Sequence, residues 1–248
     1  MPQEHLLAIP VFNEHRYLSR VLAKARLYSR SILVVDEGST DGTADTLRRH
    51  HGIHYITHPW NLGYGKSVSD AFEFAQNRGY DWLITMDCDE QHEPTCIPDF
   101  VAAWSHDDAD IISGTRYPGG FDVNGAAPKD RRRINRIITR TINQRLNLGI
   151  TDAFCGFKAY RVSALEHLRI TVPGYAMPMQ LWVQAARAGL RVKELAVPLI
   201  YDDPTRHFGG VLDDPQVRYA HYMDVFESEM ANAASGLLPC GCGCLACP

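Results

Sequence analysis

From residue 5 to residue 115 the chain alternates short, nearly continuous apolar runs with segments whose apolar residues recur at helical spacing. His5 to Pro10, Ser31 to Asp36, Ile53 to Thr57, Tyr80 to Met86 and Asp110 to Gly114 read as strands. Tyr17 to Tyr28 reads as a helix with Leu18, Val21, Leu22 and Ala25 on one face. Asp41 reads as the cap of a helix running to about His50, and Lys66 to Arg78 as a helix closed by Gly79. Apolar strands separated by single helices define an α/β chain with a mostly parallel central sheet and helices on both faces. With 248 residues, 45% of them hydrophobic, the chain is long enough to bury the core such a sheet needs.

Ligands of open α/β sheets bind beyond the carboxyl ends of the strands. Polar clusters follow three of those ends: Asn13-Glu14, Asp36-Glu37-Gly38-Ser39 and Asp87-Cys88-Asp89. In extended chain, residues two apart project to one side, so Asp87, Asp89 and Gln91 present hard oxygen ligands to a single Mg2+ or Mn2+ ion. A turn after a strand is the plain alternative for that run alone, and three clusters on one sheet edge favour a ligand site. Val35 to Thr43 places carboxylates and two glycines where a nucleoside is able to approach the backbone. Pro10 to Glu14 adds an aromatic face and an acid, and Asn61-Leu62-Gly63-Tyr64-Gly65-Lys66 opens a helix with a cation beside it.

Residues 116–130 read as a loop. A helix from about Arg131 to Leu148 follows, with Ile134, Ile137, Ile138, Thr141, Ile142 and Leu146 on one side and Arg131, Arg132, Arg133, Arg136, Arg140 and Arg145 on the other. That second face is either solvated or a contact for phosphate or an anionic membrane. Ala153 to Tyr160 reads as a strand, Met179 to Ala188 as a helix stopped by Gly189, Val192 to Pro198 as a last strand and Pro215 to Ala234 as a last helix. A net charge of −4 gives no pull toward nucleic acid. The N-terminus has no signal-peptide pattern and no run approaches the roughly 18 apolar residues of a membrane span, so the expectation is a cytoplasmic protein without a transmembrane segment, with peripheral contact at the inner membrane face left open. Cys88, Cys96 and Cys155 read as reduced thiols. Cys240, Cys242, Cys244 and Cys247 match no common zinc spacing, so a flexible tail is expected.

In their serial order, Pro10 to Glu14, Val35 to Thr43, Asn61 to Lys66, Met86 to Gln91, Gly114-Thr115-Arg116-Tyr117, Asp152 with Cys155 to Tyr160, and Gly174-Tyr175 resemble the family 2 glycosyltransferases, closest to the polyprenyl-phosphate (dolichyl-phosphate-type) mannosyl- and glucosyltransferases. The resemblance implies a single GT-A (Rossmann-like) domain over residues 1–212, with a C-terminal helix at 213–236 and a Cys/Gly-rich tail at 237–248. It implies a nucleotide-diphosphate sugar donor, a divalent cation and a lipid-phosphate acceptor. By position, Pro10, Phe12, Glu14, Asp36, Glu37, Lys66 and Asp87 would serve the donor nucleotide, and Asp87, Asp89 and Gln91 the metal. Arg116 and Arg131 would face the acceptor phosphate. Asp89, Arg116, Asp152 and Arg206 would form the catalytic set, Arg206 reaching the donor diphosphate.

Departures from the family pattern shape the acceptor question. Members acting on hydroxyls carry an acidic pair early in the helix near residue 178, where this chain has Gln180-Leu181, leaving Asp152 as the substitute base. An anionic phosphate acceptor needs no base. The Arg-x-x-Gly-x-Ser-Lys pattern is here Arg206 to Leu212 without the serine and lysine, Glu37 replaces an aspartate, and Asn135 stands where serine is common. A hydroxyl-acting transferase and a catalytically degenerate scaffold are therefore the alternatives. Asp152 also reads as a helix-to-strand cap, Arg116 as a surface ion-pair residue, and His92 and His207 as exposed.

Overall fold

In a computed structural model, residues 3–120, 127–200 and 209–234 are described. The strands are β1 (His5–Val11), β2 (Ser31–Asp36), β3 (His54–Thr57), β4 (Trp82–Thr85), β5 (Ile111–Thr115), β6 (Lys158–Arg161) and β7 (Val192–Ala196). The helices are α1 (His15–Ala25), α2 (Thr43–Arg49), α3 (Tyr64–Arg78), α4 (Ile97–Trp104), α5 (Lys129–Leu146), α6 (Met177–Arg187) and α7 (Pro215–Ala234). One seven-stranded sheet runs in the order β3-β2-β1-β4-β6-β5-β7. Its pairings are parallel except those of β6, which is antiparallel to both β4 and β5.

The central strands β1, β2 and β4 are apolar on both faces because both faces are covered, whereas the edge strands β3 and β7 are more exposed. Leu7, Ile9 and Val11 of β1 join Leu18, Val21, Leu22 and Ala25 of α1 and Phe100 and Trp104 of α4 in one core layer. The alternate residues Leu6 and Ala8 join Val68, Ala71, Phe72 and Ala75 of α3 and Leu181 of α6 in the layer on the opposite face. The period of two along a strand is thereby divided between two helix layers. A third cluster packs α5, α6 and α7 together through Ile134, Ile138, Ile142, Trp182, Tyr222 and Phe226.

Two expected elements change form. Of the expected 153–160 strand only residues 158–160 pair in the sheet, as part of β6, because the preceding backbone is satisfied by side chains. Ala153 N donates to Thr139 Oγ1 at 3.1 Å, Trp182 Nε1 donates to the Ala153 carbonyl at 3.0 Å, and Phe154 N donates to Asp152 Oδ1 at 3.2 Å. Asp41 is not the cap of α2; Gly42 holds that position with φ 93°, and Asp41 accepts from Thr43 N and His15 N, both at 3.0 Å, joining the starts of α2 and α1. Arg206, His207 and the cysteine tail lie outside the described residues.

Trp104 stacks on Trp82 with ring centroids 5.0 Å apart and an interplanar angle of 11°. Trp104→Ala is expected to cost about 3–5 kcal/mol by removing a buried indole from under the sheet. Urea unfolding with an unchanged m-value checks it.

Candidate active site

A cleft of about 490 Å3 opens at the carboxyl edge of the sheet, within the size range of small-ligand sites. Pro10, Phe12 and Glu14 reach it from the end of β1, Glu37 from the end of β2, and Asp87, Asp89 and Gln91 from the end of β4. Strand parity explains the last set: Cys88, between the two aspartates, turns into the core and is 2% exposed. Glu90, at φ 60°, then turns the chain, and Asp89 Oδ1 accepts the Gln91 N–H at 3.1 Å. The loops after β1 and β2 are stapled together. Asn13 N donates to Ser39 Oγ at 2.9 Å, Thr40 N donates to Asn13 Oδ1 at 2.8 Å, and Glu14 N donates to Thr43 Oγ1 at 3.0 Å.

Asp36 lies fully buried beneath this half rather than on its lining. Its Oδ1 accepts the Ser39 N–H at 3.0 Å, and its Oδ2 is buried with no hydrogen-bond partner among the described residues. Beside it Glu37 is pushed up to about 7, by burial first and then by the neighbouring charges of Asp87 and Asp36, with the nearby Ser67 hydroxyl opposing.

Lys66 is not part of the cleft lining. Its ammonium pairs with Asp70, which also holds His58 at 2.7 Å. The glycines before Lys66 serve packing: a Cβ at Gly65 would stand 2.1 Å from the Val172 carbonyl oxygen, so α3 starts in direct backbone contact with the loop before α6.

The other half of the cleft is cationic. Arg116 follows β5, Arg131 stands on α5, Arg218 on α7, and Lys158 on β6 between the two halves. Arg116 is held by a buried ion pair rather than a surface one: its Nε and Nη2 donate to Asp152 at 2.7 and 3.0 Å, and its backbone N–H donates to the same carboxylate at 3.2 Å. Asn135 Nδ2 adds a bond to Asp152 at 2.8 Å, and Thr139 donates to Asn135 at 2.9 Å. Glu194 on β7 accepts the N–H groups of Thr151 and Asp152 at 2.8 and 3.1 Å. Burial alone would raise the Asp152 carboxyl; Arg116 and Asn135 outweigh it and hold Asp152 at about 2. Burial likewise works against the Arg116 charge, and Asp152 overrides it and raises the guanidinium pKa. Asp152, 0% exposed and behind the cleft wall, is thus an anchor for Arg116 and not a base with access to substrate.

Buried Arg218, 3% exposed, was not signalled by the sequence. It donates to the Leu212 carbonyl at 2.7 Å and to Asp130 at 2.6 Å, joining α7 to the start of α5. Tyr222 is pushed up to about 12, by burial first, with Arg218 and Arg131 opposing. Gln180 is occupied away from the cleft: its Oε1 accepts Thr171 N at 2.7 Å and its Nε2 donates to Glu229 at 2.9 Å. Leu181, its neighbour, forms the cleft wall. His92, expected at the surface, is 6% exposed and accepts the Asp87 N–H.

This edge site on a GT-A fold defines a glycosyltransferase. Residues 7–169 match Glycosyl transferase family 2, and the chain belongs to that family. It is 28% identical to the undecaprenyl-phosphate mannosyltransferase of Micrococcus luteus, over 88% of this chain and 93% of the relative. It is 30% identical to the polyprenol monophosphomannose synthase of Mycolicibacterium smegmatis, over 79% and 77% respectively. Among solved structures, glucosyl-3-phosphoglycerate synthase from Mycobacterium tuberculosis, in complex with Mn2+, UDP and glucosyl-3-phosphoglycerate, superposes with a TM-score of 0.68 at 18% identity, covering 92% of this chain and 80% of that one.

Asp152→Ala leaves Arg116 buried without its counter-ion and is expected to destabilise the fold by about 3–5 kcal/mol. Because the folded carboxyl titrates at about 2, below its ordinary 3.8, its contribution is fully present above about pH 4 and is lost as pH falls toward 2. Urea unfolding between pH 6 and pH 2 is expected to show that extra acid sensitivity in the wild type and its loss in Asp152→Asn.

Proposed function

We propose that this chain is an inverting, divalent-metal-dependent glycosyltransferase that moves a hexose from a UDP- or GDP-sugar to a polyprenyl phosphate. The observation that carries this reading is the sorting of charge across the cleft. Among the described lining residues, the carboxylates Glu14, Glu37, Asp87 and Asp89 come from the ends of β1, β2 and β4, and the guanidinium groups of Arg116, Arg131 and Arg218 come from the β5, α5 and α7 side. One half suits a nucleoside and a metal-bound diphosphate. The facing half suits an anion.

In the donor half, Phe12 and Pro10 offer the nucleobase a flat apolar surface, and the Glu37 carboxyl is an acceptor for base or ribose donors, with Asp36 beneath it bracing the Ser39 turn. Asp87, Asp89 and Gln91 would hold Mn2+ or Mg2+. Among the described residues no three His, Cys, Asp or Glu side chains gather as a metal cluster, and the set fits through its hard oxygens, two carboxylates and an amide. That ion would neutralise charge growing on the departing diphosphate. Gly156 supports the fit: a Cβ there would come within 2.6 Å of Asp87 Oδ2.

In the acceptor half, Arg116 keeps a fixed orientation and charge through Asp152, which takes its Nε and Nη2 edge, and the other guanidinium edge, through Nη1, suits phosphate oxygens. A phosphate oxygen is an anion near neutral pH and attacks the anomeric carbon without a proton acceptor. Consistent with that, the position beside Gln180 presents Leu181 to the cleft. Mannose is the first sugar to test, since both named relatives are mannosyl enzymes. No helix among the described residues is long and apolar enough to cross a membrane, and the lipid acceptor brings the bilayer to the exposed Arg133, Arg136 and Arg140 of α5.

A panel of UDP- and GDP-sugars with Mn2+, offered to polyprenyl phosphate and to hydroxyl acceptors, tests the reaction. Asp89→Ala is expected to lower kcat at least about a hundredfold. Arg131→Ala is expected to raise the acceptor KM about tenfold, the loss of one charge-assisted contact, with the donor KM unchanged. Transfer to hydroxyl acceptors alone would sink the phosphate reading. Vesicles with anionic lipid are expected to sediment the wild type at low salt and to release an Arg133→Glu, Arg136→Glu, Arg140→Glu variant. Equal sedimentation of the two would remove the membrane role of α5.

A further inference from the structure

We propose that His92 is a positioning residue for the metal-ligand run: its imidazole holds the main chain of Asp87 and so sets where Asp87, Asp89 and Gln91 enter the cleft. The inference rests on the metal role given to those three residues above.

Asp87 N donates to His92 Nδ1 at 3.1 Å, across the turn made by Glu90. A donor on that side fixes the tautomer. Nδ1 carries the lone pair, and Nε2 carries the proton and faces Cys155 Sγ at 3.9 Å. The ring is tilted against Phe157 with centroids 5.3 Å apart. The ring also stands 3.6 Å from Asp87 Oδ2. His92 therefore holds Asp87 by its backbone.

The segment against the far side of His92 completes the frame. Gly156 lies under the Asp87 carboxylate and its carbonyl accepts from Thr85 Oγ1 at 2.8 Å, while Lys158 Nζ donates to the Cys155 carbonyl. Asp87 is thus gripped from two sides, by its main chain through His92 and by close approach to Gly156. Met86 and Cys88, earlier in the same run, pack in the apolar core. A histidine among them brings one thing they cannot, an acceptor aimed at the turn. Without it the Asp87 N–H loses its partner, and the cost of an unsatisfied donor favours a different turn.

Three variants separate this role from packing. Asn at 92 keeps an acceptor near the place of Nδ1, Gln moves it outward toward the place of Nε2, and Leu removes it. Mn2+ affinity, read by electron paramagnetic resonance with saturating UDP, is expected to fall about 10–100-fold in His92→Gln and His92→Leu, the range for a lost outer partner of a metal ligand. His92→Asn is expected to stay close to wild type, and metal-free UDP binding by calorimetry to be equal in all four proteins. Equal losses in His92→Asn and His92→Gln, or wild-type Mn2+ affinity in His92→Leu, would overturn the positioning role while leaving the proposed reaction standing. A wild type that takes up neither Mn2+ nor UDP would overturn both.

Discussion

The ion pair between Arg116 and Asp152 is the interaction on which the cationic half of the cleft depends. Asp152 has no exposure to solvent, and its two oxygens gather the end of β5 through Arg116 and the middle of α5 through Asn135. Glu194 of β7 steadies the backbone on which Asp152 stands. A buried pair of this kind adds little net stability over an apolar pair of equal volume, yet losing either partner is costly. Its value here is geometric. It holds a permanently charged fork at the cleft wall, with rotamer and direction set before any ligand arrives.

The order of strands gives the cleft its electrical layout. Reading across the sheet from β2 through β1 to β4, the strand ends contribute carboxylates; β6 then contributes Lys158, and β5 leads to Arg116. The antiparallel insertion of β6 between β4 and β5 brings Lys158 and Gly156 against the Asp87 turn. The helices beyond the sheet extend the cationic side, with Asp130 and Arg218 joining α5 to α7 where both line the opening. Carboxylates and cations thus line different parts of one cleft, the arrangement that the proposed reaction would use to bring two anionic substrates together around a cation.

Much of this was written in local pattern. Leu18, Val21, Leu22 and Ala25 share one helix face in the sequence and one core layer in the fold, and the parity of Asp87, Cys88 and Asp89 separates cleft from core as an extended strand must. Local pattern misled where a polar residue had two available partners. Lys66 stands near the start of α3, where an anion would be welcome, but Asp70 lies one helical turn away and takes its ammonium. The glycines beside it make room for the 172–173 backbone. The segment before β6 is apolar enough for a strand, and side chains from α5 and α6 took its hydrogen bonds.

By itself the sequence determined the periodicities, hence the elements, the two-sided sheet and the edge at which ligands gather, because periods of two and 3.6 residues are properties of neighbouring residues. Only the tertiary structure decided which charges meet. Arg116 and Asp152 are 36 residues apart and Arg218 and Asp130 are 88 apart, so each pairing exists only after strands and helices have packed. The same holds for His92, whose ring lies between Asp87 and Cys155. Burial then turned an exposed-looking histidine into a neutral acceptor and an available-looking carboxylate into a fixed counter-ion, since desolvation and partner charge depend on surroundings that no local pattern carries.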